Sequence, residues 1–413
     1  MTADVERHPK YRWIILGIAC LACGSLAWSH FLIPSLEYCL FPELGLTHTQ
    51  FTLIFIAPTL ACTFTAIPGG ALADRYGVRR IVAIGLFVAG ISGFSRVFIS
   101  NLEEMVALMC LLGVAFGFVL PNLPKLVGIW FPPNEIGLAS GIYTTAFASG
   151  SSLGLLTGPL FGDWKQAFTY VGIFTLVIAT IWSLFSRTAP YKGMKLHMPP
   201  MISGIKKGVK SKNVWLLSAA IFLFFGVYIS VTANLPKAFI DIYHVSPQVA
   251  GSIASLFTWG VAIGHLFIPM LSDKVGLRKP FLYGCPVISA ICLFLAWHLA
   301  PSGCALIFLG GFVMGGITPV LLALLVELPE IGHEYLGGAS GLVMTSGNAG
   351  GFLLPQVVIA PLVAAGILGA YTRGFSVVLV LLAVIALVAI PLKETGVRRT
   401  KRIESWATSG ERH

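Results

Sequence analysis

The sequence predicts an all-α polytopic membrane protein with twelve transmembrane helices, arranged as two pseudo-symmetric six-helix bundles. Three observations carry that expectation. Hydrophobic residues make up 56% of the chain and charged residues 11%, with a mean hydropathy of +0.86. Soluble domains sit near ~45–50% apolar and ~25% charged. Apolar runs recur at the length of about 20 residues that a bilayer core demands of a helix. Finally, the second half of the chain repeats landmarks of the first.

The spans are expected near 13–36, 50–72, 80–99, 104–128, 136–160, 166–187, 213–236, 247–271, 280–299, 303–327, 336–364 and 371–392. Several contain Gly or Pro, which membrane helices tolerate because neighbouring groups re-satisfy the freed backbone. The opening "MTADVERHPKYR" is polar, and the first apolar run is too long for a signal-peptide core. Residues 1–12 therefore read as an uncleaved cytoplasmic tail. The one long polar interruption, a basic linker at 188–212, separates bundles at 13–187 and 213–392 and leaves a basic tail at 393–413.

The net charge of +10 invites a nucleic-acid reading, but its placement argues against one. Lys and Arg number 3 in the N-tail, 3 between spans 2 and 3, 7 between spans 6 and 7, 3 between spans 8 and 9, and 6 in the C-tail, which is 22 of the 27 on one side. The other side carries Glu37, Glu43, Glu103 and Glu104. This is the positive-inside distribution. It places both termini in the cytoplasm and the chain in the plasma membrane, or the inner membrane of a bacterium. Anionic lipid is a further partner for the basic tails. The 8 cysteines fall mostly inside spans, and Cys20 and Cys23 form a CxxC with no second pair, so they read as small core residues. No metal-ligand cluster or cofactor motif occurs, and none is expected.

The repeat appears in order along the chain. Trp13, Gly24 and Pro34 match Trp215, Gly226 and Pro236 at an offset of 202. Asp74 and Gly77 match Asp273 and Gly276 at 199, and Gly113, Gly117 and Pro121 match Gly311, Gly315 and Pro319 at 198. Ala139-Ser140-Gly141 matches Ala339-Ser340-Gly341 at 200. Parallel six-span repeats are one way transporters are built, and two such bundles expose a shared site to either side by rocking.

Two stretches now support a family resemblance over residues 10 to 395. "GGALADRYGVRR" at 69–80, echoed by "PMLSDKVGLRK" at 269–279, is similar to the signature between helices 2 and 3 of the major facilitator superfamily. "LPNLPKLVGIWFPPNEIGLASGI" at 120–142 resembles a stretch carried by its anion-handling members. The resemblance implies a central cavity lined by spans 1, 4, 7 and 10, with 2, 5, 8 and 11 beside them. The charged loop reads as a conformational latch of Gly70, Asp74, Arg75, Gly77 and Arg79, with Asp273, Lys274 and Gly276 as its second copy. Departures exist. "ALMCLLG" in span 4 lacks the arginine common in the family, with Lys125 a possible substitute. "TSGNAGG" around Asn348 resembles an element of nitrate/nitrite porters, yet span 2 has no arginine and span 8 offers only His265.

An ionisable group at membrane depth is a functional hypothesis by default. All 17 acidic residues fall in tails, loops or helix ends. A cation would find no counter-charge, so an anionic or neutral solute is expected. His30 and His265 are the midspan titratable candidates; His30 lies 17 residues into span 1, roughly 26 Å along it. Arg96 and Lys237 fall near outer ends, while Lys165 and Arg373 read as snorkelling anchors. Trp28, Asn122, Tyr143, Tyr228, Asn234, Trp259 and Asn348 complete the expected solute-binding set. The absence of HExxH, GxSxG or a clustered His/Asp set argues against an enzyme. The sequence thus points to a monomeric secondary transporter of a small, anionic solute by alternating access, with proton symport or exchange. An exporter or uniporter of a neutral or amphiphilic compound is the alternative, and a non-transporting sensor a distant one.

Overall fold

The computed structural model describes residues 10–132, 135–187, 201–299, 302–364 and 367–396. The expected N-tail up to 9, the linker from 188 to 200 and the C-tail from 397 onward lie outside the described residues.

The described chain is helical throughout. The first half contains α1 (Tyr11–Ser35), a short α2 (Glu37–Leu44), α3 (His48–Tyr76), α4 (Val78–Ser95), α5 (Leu102–Val119), α6 (Leu123–Trp130), α7 (Ile136–Thr157) and α8 (Trp164–Phe185). A short basic helix α9 (Met201–Val209) precedes the second half. That half comprises α10 (Lys212–Tyr243), α11 (Pro247–Val275), α12 (Lys279–Leu299), α13 (Cys304–Gly315), α14 (Ile317–Val326), α15 (Gly332–Leu353), α16 (Ala360–Val363) and α17 (Leu368–Ala389). Side chains close the helix starts: Thr47 and Gln50 form a reciprocal capping box at α3, and Ser211 and Ser246 accept from the first turns of α10 and α11. Each such cap satisfies a backbone donor that has no intrahelical partner.

Among the described residues, eleven helical stretches are long and apolar enough to cross a bilayer, counting α5–α6 and α13–α14 as one each. The expected fifth span differs. α7 has 22 residues but is crowded with Gly, Ser and Thr. Its environment explains the composition, because it packs on α1 along one side and on α11 along another. A Cβ on Gly150 would collide with the carbonyl of Gly24 on α1, and one on Gly251 of α11 would come within 2.6 Å of the Leu155 carbonyl. A helix surrounded by protein needs close approach more than it needs oil.

The pairings repeat between halves. α1 packs on α7 as α10 packs on α15, α3 on α5 as α11 on α13, and α4 on α8 as α12 on α17. The seam between halves is an exchanged pair: α7 against α11, and α3 against α15. Spans 4 and 10 are both broken near their matched prolines, by a 3-10 turn at Leu120–Asn122 and by a break at Gly316.

We call the end holding Arg75, Arg79, Lys274 and Lys279 the basic face, and the end holding Glu37, Glu43 and Asp241 the acidic face. Ser25–Ser35 of α1, apart from Trp28, are buried all round, and so is most of Phe51–Thr59 on α3 and Gly226–Phe239 on α10. The halves are closed together at the acidic face.

Candidate functional site

Where the halves meet at mid-depth, aromatic rings from both converge. Phe31 of α1 lies 5.7 Å from Tyr228 of α10 and 6.4 Å from Phe147 of α7. Tyr228 stacks on Phe224 and Phe257, each at 6.2 Å, and its hydroxyl meets Ser151 of the opposite half. Beside these rings, Asn348 Nδ2 on α15 donates to Cys62 Sγ on α3 at 3.7 Å, and Gly351 sits over Thr59. Tyr228 and Asn348 are therefore brought to the junction between halves.

The two histidines have different surroundings. His30 is 1% exposed, and its Nε2 bonds the Phe55 carbonyl at 2.7 Å. A carbonyl only accepts, so Nε2 carries the proton. Phe31, Phe55 and Phe116 enclose the ring at 4.9, 4.6 and 5.5 Å. His265 on α11 is half-buried, and both its ring nitrogens are buried without a hydrogen-bond partner among the described residues. Ile263 and Phe267 are 37% and 57% exposed. Each is two residues from His265, which at about 100° per residue puts the imidazole on the opposite, interior side of α11.

The remaining candidates spread out. Tyr143 is half-buried on the α1 side of α7, near Cys23 and Ser140. Trp259 lies four residues before Ile263 and so shares its outward stripe. Trp28 Nε1 donates to Thr157 Oγ1 at 2.9 Å and its ring edges Phe174, tying α1 to α7 and α8. Asn122 is fully buried and donates to the carbonyls of Phe118 at 2.8 Å and Gly69 at 3.3 Å. It braces the broken span 4 against α3.

Asn234 belongs to a polar cluster at the acidic face. Its Oδ1 lies 2.9 Å from His48 Nε2, across the halves, while its Nδ2 donates to the Ser230 carbonyl at 2.8 Å. His48 Nδ1 is 3.3 Å from Glu37 Oε1. Lys237 pairs with Asp241 at 2.9 Å, and Tyr371 donates to Asp241 at 2.8 Å. A cavity of about 220 Å³ adjoins the cluster, lined in part by Glu37, Tyr38, Lys237 and Asp241. Burial lifts the Glu37 carboxyl above the ordinary carboxylate range, against the lowering pull of His48 and Lys237. Glu37 lies at a helix end, as the sequence reading places it, yet it is 1% exposed. Neither Glu37 nor His48 stands out as a site residue in the sequence.

At the basic face, Lys125 of α6 pairs with Asp74 and donates to the Gly70 carbonyl at 2.8 Å. Gly77 takes φ 94°. Arg75 lies over Tyr76, and Arg79 donates to the Ser183 carbonyl on α8. In the second half the central cation is Arg278, bonded to Asp273, to Ser272 at 3.2 Å and to Glu327 at 2.7 Å. Lys274 is exposed, and Gly276 takes φ 71°. Glu394 accepts from the backbone of Arg278, Lys279 and Gly396 at 2.8, 3.0 and 2.9 Å. Burial alone would raise that carboxyl, but these donors hold it below the usual range.

Matched six-helix halves, an exchanged seam and loop charges tied at one face together describe a known architecture. The model of the Major Facilitator Superfamily matches residues 13–355 and 235–410. The chain belongs to the Major Facilitator Superfamily. It is similar to a "Probable nitrate/nitrite antiporter" of Thermus thermophilus, with 24% identity over 392 residues and 86% of each chain covered. It is also similar to a hexuronate transporter of Bacillus subtilis, at 24% identity over 359 residues and 81% of each. A bacterial homologue of the human lysosomal transporter Spinster, solved inward-facing and unoccupied, shares the fold at a TM-score of 0.73 and 16% identity, covering 92% of this chain and 96% of that one. This superfamily member is a multi-pass secondary transporter and not an enzyme.

Proposed function

We propose that this superfamily member carries a small organic or inorganic anion by alternating access, with protons moving in symport or exchange. The observation that carries the reading is His265. It faces the interior of the bundle with both ring nitrogens unpartnered among the described residues, which leaves it free to donate to a solute. The acids of the described residues lie at the two faces and none at mid-depth, so a cation would find no counter-charge inside the bundle. Asn348, Tyr143 and Tyr228 add hydrogen-bond donors from three other helices. The names of the nitrate/nitrite and hexuronate relatives agree with this class.

Positive-inside placement supports a cytoplasmic basic face, and the closed acidic face supports an inward-facing reading of this form. The test is reconstitution into liposomes containing a pH-sensitive dye, with nitrate, nitrite or a hexuronate supplied on one side. Saturable anion uptake accompanied by proton movement is the expected result. Preference for a lipophilic cation over all three anions would sink the reading.

A further inference from the structure

The links across the acidic face fix where hydrogens must sit. Asn234 donates its amide to the Ser230 carbonyl, so the atom it turns to His48 is an acceptor. His48 Nε2, 2.9 Å away, therefore carries a proton. The second ring nitrogen, Nδ1, stands 3.3 Å from Glu37 Oε1. If His48 were neutral and Glu37 ionised, two lone pairs would face each other. Water is largely excluded there, since Glu37 is 1% and His48 7% exposed. One more proton on the pair removes the conflict, leaving either a carboxylic acid beside an imidazole or a carboxylate beside an imidazolium at 3.3 Å. Unpaired buried polar groups and buried net charge are both costly.

The surrounding charges lead to the same count. Lys237 and Asp241 of α10 neutralise each other, Tyr371 of α17 donates its hydroxyl to Asp241, and Tyr38 stands beside Glu37 on α2. Without the extra proton the buried cluster carries one net negative charge; with it, none.

We propose that Glu37 and His48 form a proton-binding site at the outer gate, which takes up one proton as His48 docks on Asn234 and releases it when the halves part there. The 220 Å³ cavity that Glu37 lines gives the proton its way in from the acidic face. Closure and protonation are therefore one event. Asn234 joins Glu37 and His48, which lie in the first half, to α10 in the second. The proposal rests on the alternating-access reading and on the acidic face being outward. It does not depend on which solute is carried.

The experiment measures the distance across the outer face between spin labels at S100C and S302C, two exposed loop positions in opposite halves. The full chain is used in lipid nanodiscs, with the native cysteines replaced by alanine and no solute present. In the parent protein the closed-to-open ratio falls as pH rises from 5 to 8, at a slope approaching tenfold per pH unit, the limit for one proton. Glu37→Gln removes the titrating carboxylate and its charge and holds the short distance at every pH. His48→Ala gives a longer distance with no pH response. A parent distance that ignores pH overturns the proposal, as does a Glu37→Gln protein that follows the parent curve. Because no solute is present, that failure is separate from any failure of anion transport in liposomes.

Discussion

The two faces of this transporter use charge in opposite ways. At the acidic face the polar chain runs between halves, from Glu37 and His48 to Asn234. At the basic face each network closes within its own half: Asp74 with Lys125, and Arg278 with Asp273 and Glu327. Charges that cross a seam hold a conformation, whereas charges that stay on one side hold a fold.

The most damaging change to test falls between the faces. His265→Ala is expected to lower anion uptake about 100-fold, equivalent to ~2.7 kcal/mol of lost transition-state stabilisation, with the outer-face distance unchanged. Uptake within twofold of the parent would remove His265 from the solute path. Next, Arg278→Ala leaves Glu327 and Asp273 without their shared cation. A loss of ~1–3 kcal/mol is expected, read as a lower melting temperature in detergent, with the spin-label distance and its pH response retained. If that distance changed instead, the basic-face network would also act between halves.

Lys125→Ala should cost less, about 1 kcal/mol or below, because its Asp74 partner is half-exposed to solvent. Its melting temperature would separate this small loss from a dominant one. The smallest effect concerns Glu394. Its carboxyl titrates below the usual range in the folded protein, so its contribution is present above the unfolded carboxylate value of about 4.3. It is lost as pH falls through the lower folded value. Hydrogen exchange at the Arg278 and Lys279 amides should accelerate on acidification in the parent, and be already fast and pH-insensitive, after correction for intrinsic exchange, in Glu394→Gln.

Much of the fold was legible because a bilayer imposes its own length and oiliness on each helix. The matched landmarks Gly113/Gly311 and Gly117/Gly315 sit where α5 and α13 approach α3 and α11. α7 escapes a count based on apolarity because its neighbours are protein. Site residues were harder to read. Span membership was enough to single out His265 and Asn348, and helix periodicity then separates His265 from Trp259 on the same helix. Nothing local marks Glu37, which follows an apolar run as many surface acids do, or His48 in the polar "LTHTQ". The setting of His48 depends on α10 arriving from 186 residues away. Lys125 looks misplaced in "LPKLVGIW" until Asp74, 51 residues earlier, is set beside it.

The exchanged seam has a mechanical consequence. α7 against α11 and α3 against α15 make two contact lines, one at each side of the solute path, and Gly251 keeps the backbones close along the first of them. Two parallel lines of contact permit one rigid-body swing, like a rocker on its rails. Clearance gained at one end is then taken from the other, so the transporter needs no separate device to stop both ends opening together.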